Sequence, residues 1–193
     1  PLSWLFRALV FMRRLGYRKN LIKSTKLSVP IIVIGNITVG GVGKTPLVVW
    51  LAHHLQSAGF RPGIVSRGYR GQSKTWPQSV GRDSDPKQVG DEAVLLARRS
   101  DCPVVVAPDR VAAAKQLIEQ HEVNVILSDD GLQHYAMQRD IEIAVVDGAR
   151  YFGNSQCLPA GPLREPLSRL QEVDFIVGNG VQETGWQFMQ VVP

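Results

Sequence analysis

From Val29 onward the sequence alternates short β-branched runs with stretches of helical periodicity. This alternation is typical of a parallel sheet whose connecting helices cover both faces. Strands are predicted at residues 30–34, 63–66, 104–107, 123–127, 142–146 and 175–177, and helices at 46–58, 91–99, 110–120 and 166–172. Residues 68–90, rich in Gly, Ser, Pro and charge, are predicted to form a long functional loop. The expected fold class is α/β with a mostly parallel sheet.

The first predicted strand leads into a glycine-rich loop, which is followed by Lys44, Thr45 and a helical pattern. The glycines allow backbone N–H groups to surround phosphate oxygens, and the helix presents its positive end to the same anion. Lys44 is expected to reach the β- and γ-phosphates, and Thr45 to hold Mg²⁺. The common G-x-x-x-x-G-K-[ST] pattern has glycine where this chain has Thr38. The segment predicts a P-loop NTPase-like fold that binds nucleotide through Thr38, Val39, Gly40, Gly41, Val42, Gly43, Lys44 and Thr45.

A P-loop by itself leaves the nucleotide and the reaction open. The sequence contains no N-K-x-D element, which usually accompanies guanine recognition, so ATP is the expected nucleotide. Partition-type ATPases have a second lysine at the position of Val39, and this subclass is therefore disfavoured. The alternatives are phosphoryl transfer, a switch or metal-insertion ATPase that acts on a protein partner, and a non-catalytic peripheral module.

Acidic residues follow or precede the predicted elements at positions that suit phosphate chemistry. Asp129 and Asp130 end an apolar run, which predicts that they lie at the carboxyl edge of a central strand, where α/β proteins bind ligands. Their oxygens are suitable Mg²⁺ ligands, although the pair could also form only a turn. Asp91, beside Glu92 at a helix start, is the candidate base for a substrate hydroxyl. The helix dipole alone would also favour an acid there.

Several polar residues outside these motifs are further candidates for the site. Arg67 follows a predicted strand and could bind anionic groups through two parallel hydrogen bonds, or it could be part of a solvated basic loop. His134 could order the site or be a structural histidine. Arg164 and Glu165 precede the last predicted helix, close to the expected edge of the sheet. Lys44, Asp91 and Asp130 are the predicted catalytic residues, with Asp91 as the base for the acceptor hydroxyl.

Positive charge is concentrated at one end of the chain. Residues 1–26 contain seven Lys or Arg residues and no acid, whereas the remainder has 15 basic and 17 acidic residues. The nearly neutral body argues against a nucleic-acid partner. In a helix, the apolar residues of this segment would share one face and Arg7, Arg14 and Arg18 the opposite face, with Arg13 on the apolar side. The pattern predicts a basic amphipathic helix on a membrane surface, or alternatively a helix packed on its own domain.

Other sequence features exclude several classes of protein. No apolar run approaches the ~20 residues of a membrane-spanning helix, and the basic segment does not have the order of regions found in secretory signals. The two cysteines match neither a disulfide framework nor a zinc site, which favours a reducing cytosol. The sequence indicates no obligate protein partner.

Six motifs taken together resemble the tetraacyldisaccharide 4'-kinase (lipid A 4'-kinase) family. They are GNITVGGVGKTP at 35–46, SRGYR at 66–70, GDE at 90–92, APDR at 107–110, DDGLQH at 129–134 and LREP at 163–166. The resemblance implies transfer of the γ-phosphate of ATP to the 4'-hydroxyl of a tetraacylated glucosamine disaccharide 1-phosphate. It also implies a peripheral position on the cytoplasmic face of the bacterial inner membrane.

The same resemblance implies roles for individual residues and an organisation of the chain. Asp91 matches the catalytic base of the family, Asp129 and Asp130 its acidic pair near Mg²⁺ and nucleotide, and Arg164 and Glu165 further active-site positions. The expected organisation is a membrane-surface helix with a linker at 1–26, a kinase core at 27–178, and the start of a linker to a second lobe at 179–193. Because family members are longer, the chain is expected to be the N-terminal portion of a kinase.

Overall fold

An eight-stranded sheet forms the centre of the part of the chain that the computed structural model describes, residues 2–191. Its strands are β1 (Ile31–Gly35), β2 (Pro62–Ser66), β3 (Gln78–Val80), β4 (Val104–Val106), β5 (Val125–Asp129), β6 (Ile141–Asp147), β7 (Phe175–Asn179) and β8 (Gln187–Met189). Their order across the sheet is β3-β4-β2-β5-β1-β6-β7-β8. Neighbouring strands are parallel except for β3 and β4, which are antiparallel. The predicted mostly parallel sheet is confirmed.

Helices cover both faces of this sheet. They are α1 (Leu2–Arg18), α2 (Lys44–Ser57), α3 (Pro86–Val89), α4 (Asp91–Arg99) and α5 (Arg110–Gln120), and a 3₁₀-helix spans Leu167–Glu172. Ile32 and Ile34 of β1 belong to the core that contains buried residues of α2 and α4, whereas Ile31 and Val33 belong to the core that contains those of α5. Because a central strand is buried on both faces, it has the continuous apolar run seen in the sequence.

The strand order brings two sequence motifs to one edge of the sheet. β1 lies between β5 and β6, and Ile34 pairs with Asp129 in the parallel register of β1 and β5. The carboxyl ends of these two strands therefore lie side by side. The glycine-rich loop after β1 and the aspartate pair at the end of β5 meet at this edge, where open α/β sheets bind their ligands.

The structure differs from the sequence-based prediction at three places. The stretch 68–90, predicted to be a loop, contains strand β3 and the short helix α3. The segment after residue 178 adds β8 to the same sheet. Residues 167–172 form a 3₁₀-helix where an α-helix was expected. Both unpredicted strands are three residues long and lie at the edges of the sheet, where only a short and partly polar strand is needed.

Polar side chains of helix α1 contact the rest of the protein. Arg14 forms an ion pair with Glu172, and the Ser3 hydroxyl donates a hydrogen bond to the carbonyl oxygen of Cys157 at 2.7 Å. Phe6 packs against the core. Most of the other large apolar side chains of the helix are exposed, namely Leu2, Trp4, Leu5, Leu9, Phe11, Met12 and Leu15. None of the helices in the described residues is long and apolar enough to cross a bilayer.

Candidate active site

The glycine-rich loop after β1 has the backbone conformation of an anion-binding turn. Gly40 and Gly43 have φ values of 96° and 88°, in the left-handed region that favours glycine. A Cβ atom at Gly43 would also lie 2.6 Å from the Asn179 side-chain nitrogen, so the Asn179 side chain would have to move to accommodate any larger residue. Because Gly43 is the N-cap residue of α2 and has no side chain, the N–H groups of the first turn of α2 are free to bind an anion.

A buried asparagine connects this loop to its lysine. The Asn36 side chain donates hydrogen bonds to the carbonyl oxygen and the hydroxyl of Thr38, at 2.8 and 3.1 Å, and accepts one from Lys44 Nζ at 3.1 Å. Thr38, which replaces the first glycine of the common motif, thus has a specific partner inside the loop. Sequence reasoning did not identify Asn36. The available signal was its position directly after a buried strand. An amide side chain buried there needs hydrogen-bond partners.

Asp129 is a buried carboxylate at the end of β5. It is 1% exposed, and its Oδ1 atom has no hydrogen-bond partner within residues 2–191. The hydroxyl of Ser66 lies 3.4 Å from its Oδ2 atom. Burial raises the pKa of Asp129 to about 6, although the nearby Lys44 opposes the rise. Without a bound cation this carboxylate is therefore costly to ionise.

These features fit a divalent cation that obtains few of its ligands from the protein. An unpaired buried carboxylate oxygen is a suitable ligand for Mg²⁺, and the charge of the ion would offset the cost of ionising Asp129. The described residues contain no group of three or more His, Cys, Asp or Glu side chains that could hold a metal ion. A cation bound here would therefore take most of its ligands from phosphate oxygens and water, as Mg²⁺ commonly does.

Asp130 is held by two cations. Its Oδ1 atom lies 3.4 Å from Lys44 Nζ, and Arg164 Nη1 lies 3.1 Å from both of its oxygens. Burial raises the pKa of this carboxyl, but Lys44 and Arg164 together outweigh burial, so that the pKa lies below its usual value. Asp130 is therefore ionised at neutral pH and holds Lys44 and Arg164 close together.

An arginine to which the sequence analysis gave no role supports the backbone of this pair of aspartates. Arg110, the first residue of α5, is buried and donates hydrogen bonds to the carbonyl oxygens of Asp129 and Asp130, at 3.3 and 2.9 Å. Asp109 is the N-cap residue of the same helix, and its side chain accepts hydrogen bonds from two backbone N–H groups of the first turn. Arg110 thus fixes the backbone that carries both carboxylates. Its position after a strand end was the available signal.

A cavity of about 700 Å³ opens above the loop and the aspartate pair. The predicted site residues that line it are Val39, Gly40, Gly41, Lys44, Arg67, Glu92, Asp130, His134 and Arg164. Arg13 of α1, Arg110 and Gln133 line it as well. Sequence-based candidates from five separate segments thus converge on one cavity.

The two acids at the start of α4 are placed differently. Both side chains are exposed, but the lining of the cavity includes Glu92 and not Asp91. Asp91 is the first residue of the helix and lies beside this lining residue. The assignment of Asp91 as the base remains a prediction, and Glu92 is the neighbouring carboxylate against which it has to be tested.

His134 lines the cavity as a neutral side chain, whereas Glu165 lies behind the lining. Burial and the charge of Arg110 lower the pKa of His134 to about 4, so the imidazole is neutral at physiological pH. Glu165 is buried outside the cavity lining and accepts hydrogen bonds from the Gln133 side chain, at 2.9 Å, and from the Tyr135 hydroxyl. It therefore supports Gln133, which does line the cavity.

Known proteins are similar to this chain along nearly its whole length. The family model described as LpxK, tetraacyldisaccharide-1-P 4'-kinase, matches residues 1–190. A tetraacyldisaccharide 4'-kinase of Nitrosococcus oceani is 60% identical over 185 residues, which is 96% of this chain and 55% of the relative. A tetraacyldisaccharide 4'-kinase of Methylobacillus flagellatus is 55% identical over 195 residues, which is 100% of this chain and 58% of the relative. The chain thus spans somewhat more than half the length of these curated relatives.

Solved structures also resemble this chain. The crystal structure of LpxK from Aquifex aeolicus in complex with ATP has a TM-score of 0.85 and 33% identity, and the match covers 97% of this chain and 62% of that one. A signal recognition particle 54 kDa protein from Aeropyrum pernix has a TM-score of 0.50 and 11% identity over 83% of this chain and 37% of that one, a likeness of fold alone. The P-loop NTPase-like fold is confirmed, and the chain belongs to the tetraacyldisaccharide-1-P 4'-kinase family.

Proposed function

We propose that the complete protein transfers the γ-phosphate of ATP to the 4'-hydroxyl of a tetraacylated disaccharide 1-phosphate. The observation that carries this proposal is the cavity in which Lys44, Arg164 and Asp130 meet beside the loop after β1, above the buried Asp129. Relatives named for this reaction and the Aquifex aeolicus structure with ATP support it. The work of such a site is positioning and charge neutralisation, which dominate catalysis of phosphoryl transfer.

Residues in and around the cavity have distinct tasks in this proposed reaction. The loop amides and Lys44 bind the phosphates, and Arg164 holds Asp130 beside Lys44. Asp129 and Thr45 would hold Mg²⁺, which supplies positive charge to phosphate oxygens when it is bound. The acceptor oxygen forms a bond to the γ-phosphorus while the bond from that phosphorus to the ADP oxygen breaks. The hydroxyl proton passes to a carboxylate, for which Asp91 is our candidate.

The direct test uses the full-length protein with labelled ATP, Mg²⁺ and the acylated disaccharide 1-phosphate. We expect the label on the lipid. Release of the label as free phosphate at a rate independent of the lipid would contradict the proposal and favour a switch ATPase. Binding to vesicles without any nucleotide turnover would favour a peripheral module instead.

The base assignment can be tested by comparing two neighbouring acids. Replacing Asp91 with asparagine is expected to lower kcat by about 10²-fold or more, because the acceptor proton loses its destination. Glu92→Gln is the matched variant, since Glu92 is the adjacent carboxylate and lines the cavity. Single-turnover kinetics and nucleotide affinity would be measured for both. Full turnover in Asp91→Asn together with a large loss in Glu92→Gln would transfer the role of base to Glu92.

We further propose that α1, as part of residues 1–26, attaches a kinase core at 27–178 to the membrane surface on the cytoplasmic side. A helix packed on its own domain buries its apolar face, whereas α1 exposes Leu5 and Leu9 to 59% and 53% and attaches its Arg14 to the body. Apolar side chains at the acyl boundary and cations near anionic headgroups are the two contributions that bind interfacial helices.

Replacing Leu5 and Leu9 together by glutamate is expected to weaken binding to anionic vesicles by about 100-fold, because two leucines no longer enter the acyl region. Nucleotide affinity should not change. Phe60→Glu is the control, because Phe60 is a large apolar residue outside α1 that is 47% exposed. Cosedimentation with vesicles measures the effect, and equal binding of the double variant and the control would argue against α1 as the attachment site.

A further inference from the structure

The basic side chains that line the cavity differ in whether they already have partners. They are Arg13, Lys44, Arg67, Arg110 and Arg164. Lys44 and Arg164 contact Asp130, and Arg110 is buried against backbone carbonyl oxygens. Arg13 and Arg67 are exposed and form no ion pair or side-chain hydrogen bond with residues 2–191. These two arginines are therefore available to an anionic ligand.

Of these two arginines, Arg13 belongs to α1, the helix with the exposed apolar surface. Its neighbour Arg14 is fixed by the ion pair with Glu172 and lies 3.8 Å from a Glu165 oxygen, which sets the rotation of α1 on the body. In this rotation the Arg13 guanidinium lies 6.0 Å from the centre of the Tyr135 ring and lines the cavity. Arg13 thus lies at the junction between the apolar surface of α1 and the phosphate-binding cavity.

The side chains that line the cavity carry more positive than negative charge. Five basic side chains line it, against the carboxylates of Glu92 and Asp130. Lys44 and the loop amides account for a triphosphate at the end of β1. The cation supplied by α1 is outside that loop and is suited to a second anion. A lipid whose acyl chains lie along α1 would bring its headgroup to this position.

We propose that Arg13 binds the phosphate group of the acceptor lipid and thereby makes α1 a part of the substrate-recognition site. This inference rests on the proposed function. A guanidinium is suited to the task because its planar pair of N–H groups matches two oxygens of a phosphomonoester. The family is described as acting on a 1-phosphate, which supplies such a group on the acceptor.

The test uses the full-length protein and an acceptor disaccharide with acyl chains short enough to dissolve without detergent, prepared with and without its 1-phosphate. Arg13→Ala is expected to raise KM for the phosphate-bearing acceptor about tenfold, with kcat and KM for ATP unchanged. It should not affect the acceptor that lacks the phosphate. Arg13→Lys should restore part of the affinity, because it keeps the charge but not the paired N–H groups. Arg99→Ala, which removes an exposed charge from the last turn of α4, is the control.

Other outcomes would overturn the inference in distinct ways. An equal rise in KM for both acceptors would show that Arg13 does not contact the phosphate. A rise in KM for ATP would assign it to the nucleotide, and a defect confined to vesicle-bound substrate would assign it to membrane headgroups. Failure of the wild-type protein to phosphorylate either acceptor would reject the proposed function itself. Normal transfer by the wild type with an indistinguishable Arg13→Ala variant would reject the role of Arg13 alone.

Discussion

Replacing Lys44 with alanine is expected to lower kcat for phosphoryl transfer by about 10³-fold, the range found when a charged group that stabilises the transition state is removed. Lys44 Nζ lies 3.1 Å from Asn36 Oδ1 and 3.4 Å from Asp130 Oδ1, so the lysine is positioned in the cavity by buried and half-buried partners. Removing it also leaves Asp129 without the nearby charge that opposes the rise in its pKa. The variant therefore loses both the charge on the phosphates and part of the support for an ionised Asp129.

Two controls separate this effect from a general loss of structure. Lys74→Ala removes an exposed lysine outside the cavity and should have full activity. Lys44→Arg keeps the charge but not the compact ammonium group, so it should recover only part of the rate. Steady-state kinetics on the full-length protein, with circular dichroism to verify folding, measure the result. A folded Lys44→Ala variant that retains more than a tenth of the wild-type kcat would contradict the assignment.

The central strands were predictable because burial on both faces requires continuous apolar runs. β1, β2 and β4 to β7 each overlap a predicted strand. β3 and β8 were missed because an edge strand of three residues can be polar and needs no such run. The 3₁₀-helix after Pro166 could not be distinguished from an α-helix, since a segment of six residues contains less than two helical turns of pattern.

The same distinction applies to the active-site residues. Short local motifs predict some of them, whereas others depend on contacts with residues far away along the chain. Lys44, Asp129 and Asp130 lie at or after strand ends within short motifs, and parallel strand ends meet at one edge of the sheet. The role of Arg110 could not be predicted, because its contacts are with residues 19 and 20 positions further along the chain. Arg13 was expected on the apolar side of its helix. Its place in the cavity depends on how the Arg14 ion pair rotates α1 about its axis. Helical periodicity does not predict this rotation.

The cost of burying Asp129 leads to the second large effect. Its pKa is raised from an ordinary value of 3.8 to about 6, so the folded protein holds this proton more tightly than the unfolded chain does. The resulting stabilisation is fully present below pH 3.8 and is lost as the pH rises through about 6. At pH 8 the ionised carboxylate therefore destabilises the ligand-free protein by up to about 3 kcal/mol.

Asp129→Asn should consequently be more stable than the wild type at pH 8 and nearly equal to it at pH 4, because the amide is never ionised. Urea unfolding without nucleotide or Mg²⁺ at the two pH values measures the difference. The same variant should lose about 10²-fold or more in kcat, since a neutral oxygen is a poorer ligand for a divalent cation. Opposite changes in stability and activity are the signature of a carboxylate retained for its charge. A variant that is less stable at pH 8, or one that keeps its activity, would show that Asp129 is buried for structural reasons alone.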